Sequence, residues 1–212
     1  MTEFFELFSR FDASVFKAMH NLAKNAGGFF TPFFEIITLL GEKGLLFFAM
    51  SAIMMLFAKT RKLGICMFGA VACGALITNI ILKDMIARPR PFEAEEQFFE
   101  YWTFVGSPAE DGYSFPSGHM TAIMAAMTAL FILCNKKWSW IGFVGVLFMG
   151  VSRIYLIAHY ASDVLAGILV GAISGIIAYI ITQIIYFVLN KYDENKFFAF
   201  ILDFDIIKSL KK

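Results

Sequence analysis

The sequence predicts an all-α, polytopic membrane bundle of about five transmembrane helices, six being possible. Two observations carry that prediction. The first is composition: 59% of the 212 residues are hydrophobic, 17% are charged, and the mean hydropathy is +0.70. A soluble domain is nearer to ~45–50% apolar and ~25% charged. The second is pattern: apolar runs approach the ~20 residues needed to cross ~30 Å of hydrocarbon, and charged or Gly/Pro punctuation separates them. The chain reads as one integral-membrane domain over residues 1–212.

Each element follows from its residues. Thr2 to Asn25 alternates Phe4, Phe5, Phe8, Phe11, Val15, Phe16 and Met19 with Glu3, Glu6, Arg10, Asp12, Lys17 and Lys24. That is too polar to span, so residues 1–28 form an interfacial amphipathic segment ending at Ala26-Gly27-Gly28. Phe29–Leu40 is apolar but short, and Glu42 and Lys43 would be deep if it joined the next run. The expectation is therefore a shallow, interface-lying Phe29–Leu40 and a first span from Glu42 to Ala58, with Lys59-Thr60-Arg61-Lys62 as a basic flank. The second span is Leu63–Ala87, ended by Pro89 and Pro91. Phe92–Phe115 is a polar loop with Glu93, Glu95, Glu96, Glu100, Glu110 and Asp111 among interfacial aromatics. It reads as a solvated loop with an interfacial anchor, or more sharply as a lid. The remaining spans are Ser117–Cys134, Trp138–Leu156 and Ser162–Leu189. The last carries Gly167, Gly171 and Gly175, a small-residue ridge for close helix packing. Residues 190–212 read as an amphipathic cytoplasmic tail.

Composition also excludes. A net charge near +1 offers no argument for nucleic acid. Cys66, Cys73 and Cys134 lie in apolar runs without metal-ligand spacing and read as small buried hydrophobes. No basic n-region with an apolar core marks a cleavable signal at the start.

Orientation brings the polar islands together. With five spans, Lys59, Arg61, Lys62, Lys136, Lys137, Lys191 and Lys196 fall on one side, which the positive-inside rule makes cytoplasmic. Three polar clusters then meet at the extracytoplasmic interface. Lys83 ends a span, and Arg88 and Arg90 follow on proline-stiffened chain, where alternation puts them on similar sides. Their guanidinium forks suit phosphate oxygens. Pro116, Ser117, Gly118 and His119 open a helix whose N-terminus attracts anions; Ser117 is placed to cap it, and His119 to give a proton to a leaving group. Arg153 adds another clamp. His159 and Asp163, four apart, can share a helix face, with Asp163 accepting Nδ1–H and leaving Nε2 free to attack. The sum is an anion site with two histidines and no metal-ligand set, suited to a phosphate ester and a histidine nucleophile.

These residues resemble the type 2 phosphatidic acid phosphatase (PAP2) superfamily, which includes bacterial undecaprenyl-pyrophosphate and phosphatidylglycerophosphate phosphatases. The likeness rests on Lys83, six residues, then Arg90-Pro91; on Pro116-Ser117-Gly118-His119; and on Ser152-Arg153, five residues, His159, three residues, Asp163. It implies a helical-bundle phosphatase needing neither metal nor cofactor and acting on a membrane lipid phosphate. In it His159 would be the nucleophile forming a phosphohistidine, Asp163 its orienter and His119 the general acid. Lys83, Arg90, Arg153, Ser117 and the Gly118 backbone would hold the phosphoryl oxygens, with Arg88 as a helper. A lipid head-group transferase on the same site, or a non-enzymatic transporter or anion-binding protein, remains open from the residues alone. Transport sites, however, are expected near the bilayer midplane. One geometric expectation follows. Arg153 and His159 would diverge by about 240° on a straight helix, so the chain must break between Tyr155 and Ser162 for both to reach one phosphoryl group.

Overall fold

The computed structural model describes residues 2–210, which form helices joined by loops, with no strand among them. Helix α1 covers Thr2–Asn25, and Gly27 and Gly28 end it at positive φ. Its inner face buries Asp12, Phe16 and Ala23, while Leu7, Phe11 and Leu22 stay exposed on the other.

The next pair corrects the sequence reading. Helices α2 (Thr31–Leu40) and α3 (Leu45–Met55) together form one apolar stretch of 25 residues, long enough to span. Phe29–Leu40 is therefore not a separate interfacial segment, and the span does not begin at Glu42. The physical reason is a break that does not end the span: Lys43 and Gly44 take positive φ of 50° and 69°. The break turns Glu42 and Lys43 into a cavity instead of lipid, which removes the objection to their depth.

Helix α4 (Arg61–Ala75) continues through a π-helical stretch, Leu76–Leu82, into the short α5 (Lys83–Ile86). Val71, Ala75, Asn79 and Lys83, four residues apart in turn, all line the cavity, so Lys83 closes a stripe along one side of this continuous helix. Two short helices, α6 (Pro91–Ala94) and α7 (Glu96–Phe104), then order the polar loop.

The core is α8 (Gly118–Leu133), which packs on α4, α10 (Gly142–Tyr155) and α11 (Ala161–Lys191). A helix that is apolar on all sides belongs inside. Gly167, Gly171 and Gly175 let α11 meet α8 backbone to backbone: a Cβ at Gly167 would stand 2.7 Å from the Ser117 carbonyl, and one at Gly171 2.6 Å from that of Thr121. Helix α2 lies antiparallel to α10, with Thr31 Oγ1 3.0 Å from the Tyr155 hydroxyl and Thr38 Oγ1 3.1 Å from Ser152 Oγ. The short α9 (Lys136–Ser139) precedes α10, and α12 (Lys196–Asp203) and α13 (Ile206–Leu210) form the tail. The tail folds back on the α3–α4 turn, where Arg61 donates to the carbonyls of Ile201, Leu202 and Phe204. Residues 211 and 212 of the expected tail lie outside the described residues. Among the described residues four stretches are long and apolar enough to cross a membrane, with α8 as a shorter apolar helix, and the protein is a multi-pass membrane protein.

Candidate active site

The break between Tyr155 and Ser162 is present. Helix α10 ends at Tyr155, Ile157 takes a positive φ of 56°, and α11 starts at Ala161. Arg153 sits in the last turn of α10, Asp163 in the first turn of α11, and His159 on the loop between them. His159 therefore does not share a helix face with Asp163, as its spacing suggested.

The loop sets the histidine's hydrogen bonds. His159 Nδ1 lies 2.8 Å from the Ser114 carbonyl and 3.8 Å from Asp163 Oδ2. A carbonyl only accepts, so Nδ1 carries the proton and Nε2 is bare. The expected direct Asp163–His159 bond is thus replaced by a bond through Ser114. Asp163 Oδ2 accepts from Ser114 Oγ at 2.5 Å and from the Tyr160 amide at 3.0 Å. It acts as the carboxylate of a helix first turn, holding the Tyr160 end of the histidine loop and the Ser114 that anchors the imidazole. His159 is 2% exposed. Burial, then the charges of Arg153, Arg90 and Lys83, push its pKa well below the ordinary histidine value.

His159 faces a cavity of about 330 Å³, shared with Lys83, Arg90, Gly118, His119, Glu42, Lys43 and Glu110. Arg90 donates Nε–H to the Gly112 carbonyl (2.9 Å), Nη1–H to that of Ala158 (2.8 Å) and Nη2–H to that of Asp111 (2.6 Å). Its Nη1 also lies 3.2 Å from Glu110 Oε2, and Arg153 Nη2 pairs with Glu110 Oε1. One carboxylate thus bridges two buried guanidinium groups. Arg153 also reaches Thr38 Oγ1 at 3.3 Å, and its Nε has no partner among the described residues. Lys83 has no ion-pair partner among them.

Across the cavity, α8 begins. Ser117 stands at its N-cap, but its hydroxyl does not cap the helix; it is buried without a partner among the described residues, while its amide donates to the Asp163 carbonyl at 3.2 Å. Gly118 presents the first-turn backbone to the cavity. The next residue, His119, has Nε2 3.5 Å from Glu42 Oε2.

Arg88 departs from expectation. It does not line this cavity. Its guanidinium lies between Phe5 and Tyr160, with Cζ 4.2 and 3.7 Å from their ring centroids. It pairs with Asp163 Oδ1 and with Asp12 Oδ2 at 3.0 Å. Simple alternation failed because different buried carboxylates claim the two arginines: Asp12 and Asp163 take Arg88, and Glu110 takes Arg90.

A profile of the PAP2 superfamily matches residues 63–186, more than half of the chain. The chain belongs to the PAP2 superfamily. Among PAP2 relatives it is 32% identical over 123 residues to an undecaprenyl-diphosphatase of Sulfolobus acidocaldarius, covering 58% of this chain and 56% of that one. It is 34% identical over 111 residues to a lipid A 1-phosphatase of Rhizobium johnstonii, covering 52% and 44%. The chain thus spans about half the length of these two curated relatives. The crystal structure of a transmembrane PAP2-type phosphatidylglycerolphosphate phosphatase from Bacillus subtilis superposes with a TM-score of 0.60 at 24% identity, over 86% of this chain and 95% of that one. The PAP2 fold is shared.

Sequence reasoning missed four residues of this PAP2 site. Asp12 read as one charge on a two-faced helix, yet it is 2% exposed. Ser114 opened the polar cluster that holds the Pro-Ser-Gly-His motif, but nothing in the sequence signalled its role as the partner of His159. Glu110 was one acid among six in a loop. Glu42 was recognised as an anomaly of depth, and that anomaly was the available signal.

Proposed function

We propose that this protein is a membrane lipid phosphatase that hydrolyses a phosphate monoester or diphosphate through a phosphohistidine, without a metal. One observation carries the reading: Ser114 holds His159 with Nδ1 protonated, leaving Nε2 bare toward a cavity lined by Lys83 and Arg90.

The steps follow from the charges. The substrate's phosphoryl group displaces the Glu110 carboxylate from Arg90 and Arg153, whose guanidinium forks suit its oxygens. Lys83 and the Gly118 backbone complete the cradle. His159 Nε2 attacks phosphorus, forming the N–P bond as the bond to the leaving oxygen breaks. His119, with Glu42 beside it, protonates that oxygen. Water then attacks the phosphohistidine, giving its proton to His119 and releasing inorganic phosphate. Asp163 holds the loop throughout.

The site faces the extracytoplasmic side in this reading. Arg61 and the tail, and the C-terminal ends of α8 and α11 with their lysines, lie at the helix ends away from it. Burial at a lipid–water boundary favours a head group on an apolar tail.

The test is a panel of phosphatidic acid, phosphatidylglycerol phosphate and undecaprenyl pyrophosphate, assayed on purified protein with and without EDTA, beside His159→Ala. Phosphate release that survives EDTA and disappears in folded His159→Ala is the expected result. Full activity in His159→Ala overturns the mechanism. A cysteine placed at Gly112 should react with an impermeant maleimide on intact cells; labelling only after lysis overturns the sidedness.

A further inference from the structure

We infer that Asp12 is a positioning residue for the reaction at His159, reaching it from the amphipathic helix α1. The inference rests on His159 being the nucleophile.

The geometry is a chain of hydrogen bonds that begins 150 residues upstream. Asp12 Oδ1 accepts the Ser162 amide at 2.8 Å. Asp12 Oδ2 accepts the Ser162 hydroxyl at 2.7 Å and Arg88 Nη2–H at 3.0 Å. Arg88 Nη1 donates to Ser162 Oγ at 2.8 Å and to Asp163 Oδ1. The other oxygen of Asp163 holds Ser114 and the Tyr160 amide, and the Ser114 carbonyl holds His159. Arg88 is 8% exposed, and Asp12, Ser162 and Asp163 are likewise buried.

Each contact answers a physical need. Amides in the first turn of a helix have no partner within it. The N-cap of α11 is Tyr160, whose side chain makes no capping bond, so α1 supplies the acceptor for Ser162. Two buried carboxylates share one guanidinium, and Arg88 cannot shed its charge. Remove Asp12, and half of that fork faces buried space unpaired. Arg88 then swings toward Asp163, whose second oxygen is the one that holds the histidine loop. Among the described residues every polar contact of Asp12 is with a residue that touches or adjoins Asp163, and none is with a residue lining the His159 cavity. Loss of Asp12 therefore misplaces the nucleophile and spares phosphate binding.

The experiment compares Asp12→Ala, the near-isosteric Asp12→Asn, and His159→Ala in purified protein. Single-turnover rates are measured with enzyme in excess, so that a misfolded fraction does not lower them. Asp12→Ala should slow the single turnover by roughly 10- to 100-fold, the effect of a small misplacement of a reacting group. KM and inhibition by orthovanadate should stay within about threefold. Asp12→Asn keeps the acceptor for Ser162 and should lose less. In an Arg88→Gln background the Asp12→Ala effect should shrink, because the two act through one network. A wild-type single-turnover rate in Asp12→Ala overturns the inference, as does a loss of vanadate affinity equal to the loss of rate. If His159→Ala is also active, the nucleophile assignment itself has failed; if it is inactive while Asp12→Ala is normal, only the role of Asp12 has.

Discussion

Two buried arginines at opposite ends of the bundle differ in how they are satisfied. Arg61, at the end with the lysine flanks, gives its donors to the carbonyls of Met55, Ile201, Leu202 and Phe204. Those acceptors belong to the backbone of fixed helices and turns. Arg153, at the other end, is fully buried and among the described residues bonds only to side chains, Glu110 and Thr38, with Nε left over. Arg61 is a staple between tail and turn, finished by partners that cannot leave. Arg153 does not itself line the cavity but holds Glu110, a loop carboxylate that does. Buried charge by itself does not mark a site; exchangeable partners and an opening do.

The comparison can be broken by experiment. The largest effect belongs to the nucleophile: His159→Ala should lower turnover by about 10⁴-fold or more, measured as phosphate release, while the purified protein elutes and melts as the parent does. Next come the two arginines. Arg153→Ala should lower kcat/KM by roughly 10²- to 10³-fold, the usual cost of one lost donor to a transferring group. Arg61→Ala should leave kcat within about threefold and lower the melting midpoint, since each buried carbonyl left without a donor costs about 1–3 kcal/mol. If Arg61→Ala removes turnover from well-folded protein, the distinction between staple and clamp is wrong.

Smaller effects sharpen it. Glu110→Gln removes the internal anion from Arg90 and Arg153, so orthovanadate should bind about tenfold more tightly, a change of about 1.4 kcal/mol. Unchanged affinity would mean that Glu110 does not compete with the phosphoryl group. The smallest concerns pH. Burial and three cations disfavour the imidazolium of His159, so its folded-state pKa lies below the usual value. The neutral nucleophile then persists as pH falls through ~6.5, and the acid limb of kcat/KM should lie below that pH. An acid limb at or above 6.5 would contradict the burial of His159.

Much of the site was legible because its motifs are local. Lys83, Arg90, His119 and His159 all reach one cavity. The hinge at Tyr155–Ser162 followed from helix geometry alone, since six residues on a straight helix would have parted Arg153 from His159. Arg88 was misread because a sequence position does not reveal which buried carboxylate will claim a guanidinium. The Asp163–His159 contact was misread for a related reason: four residues along the chain said nothing of Ser114, which arrives from another loop.

The sequence by itself determined the membrane class, the four apolar runs after the first, the amphipathic ends and the residue types that line the cavity. Burial of apolar surface and helix periodicity act on neighbours in the chain, so they can be read there. Only the tertiary structure decided that Thr31–Met55 is one broken span, that Glu110 bridges Arg90 and Arg153, and that Asp12 caps a helix 150 residues away. Those choices rest on pairing buried charges and orphan amides, and the partner that satisfies a buried charge is set by distance in space.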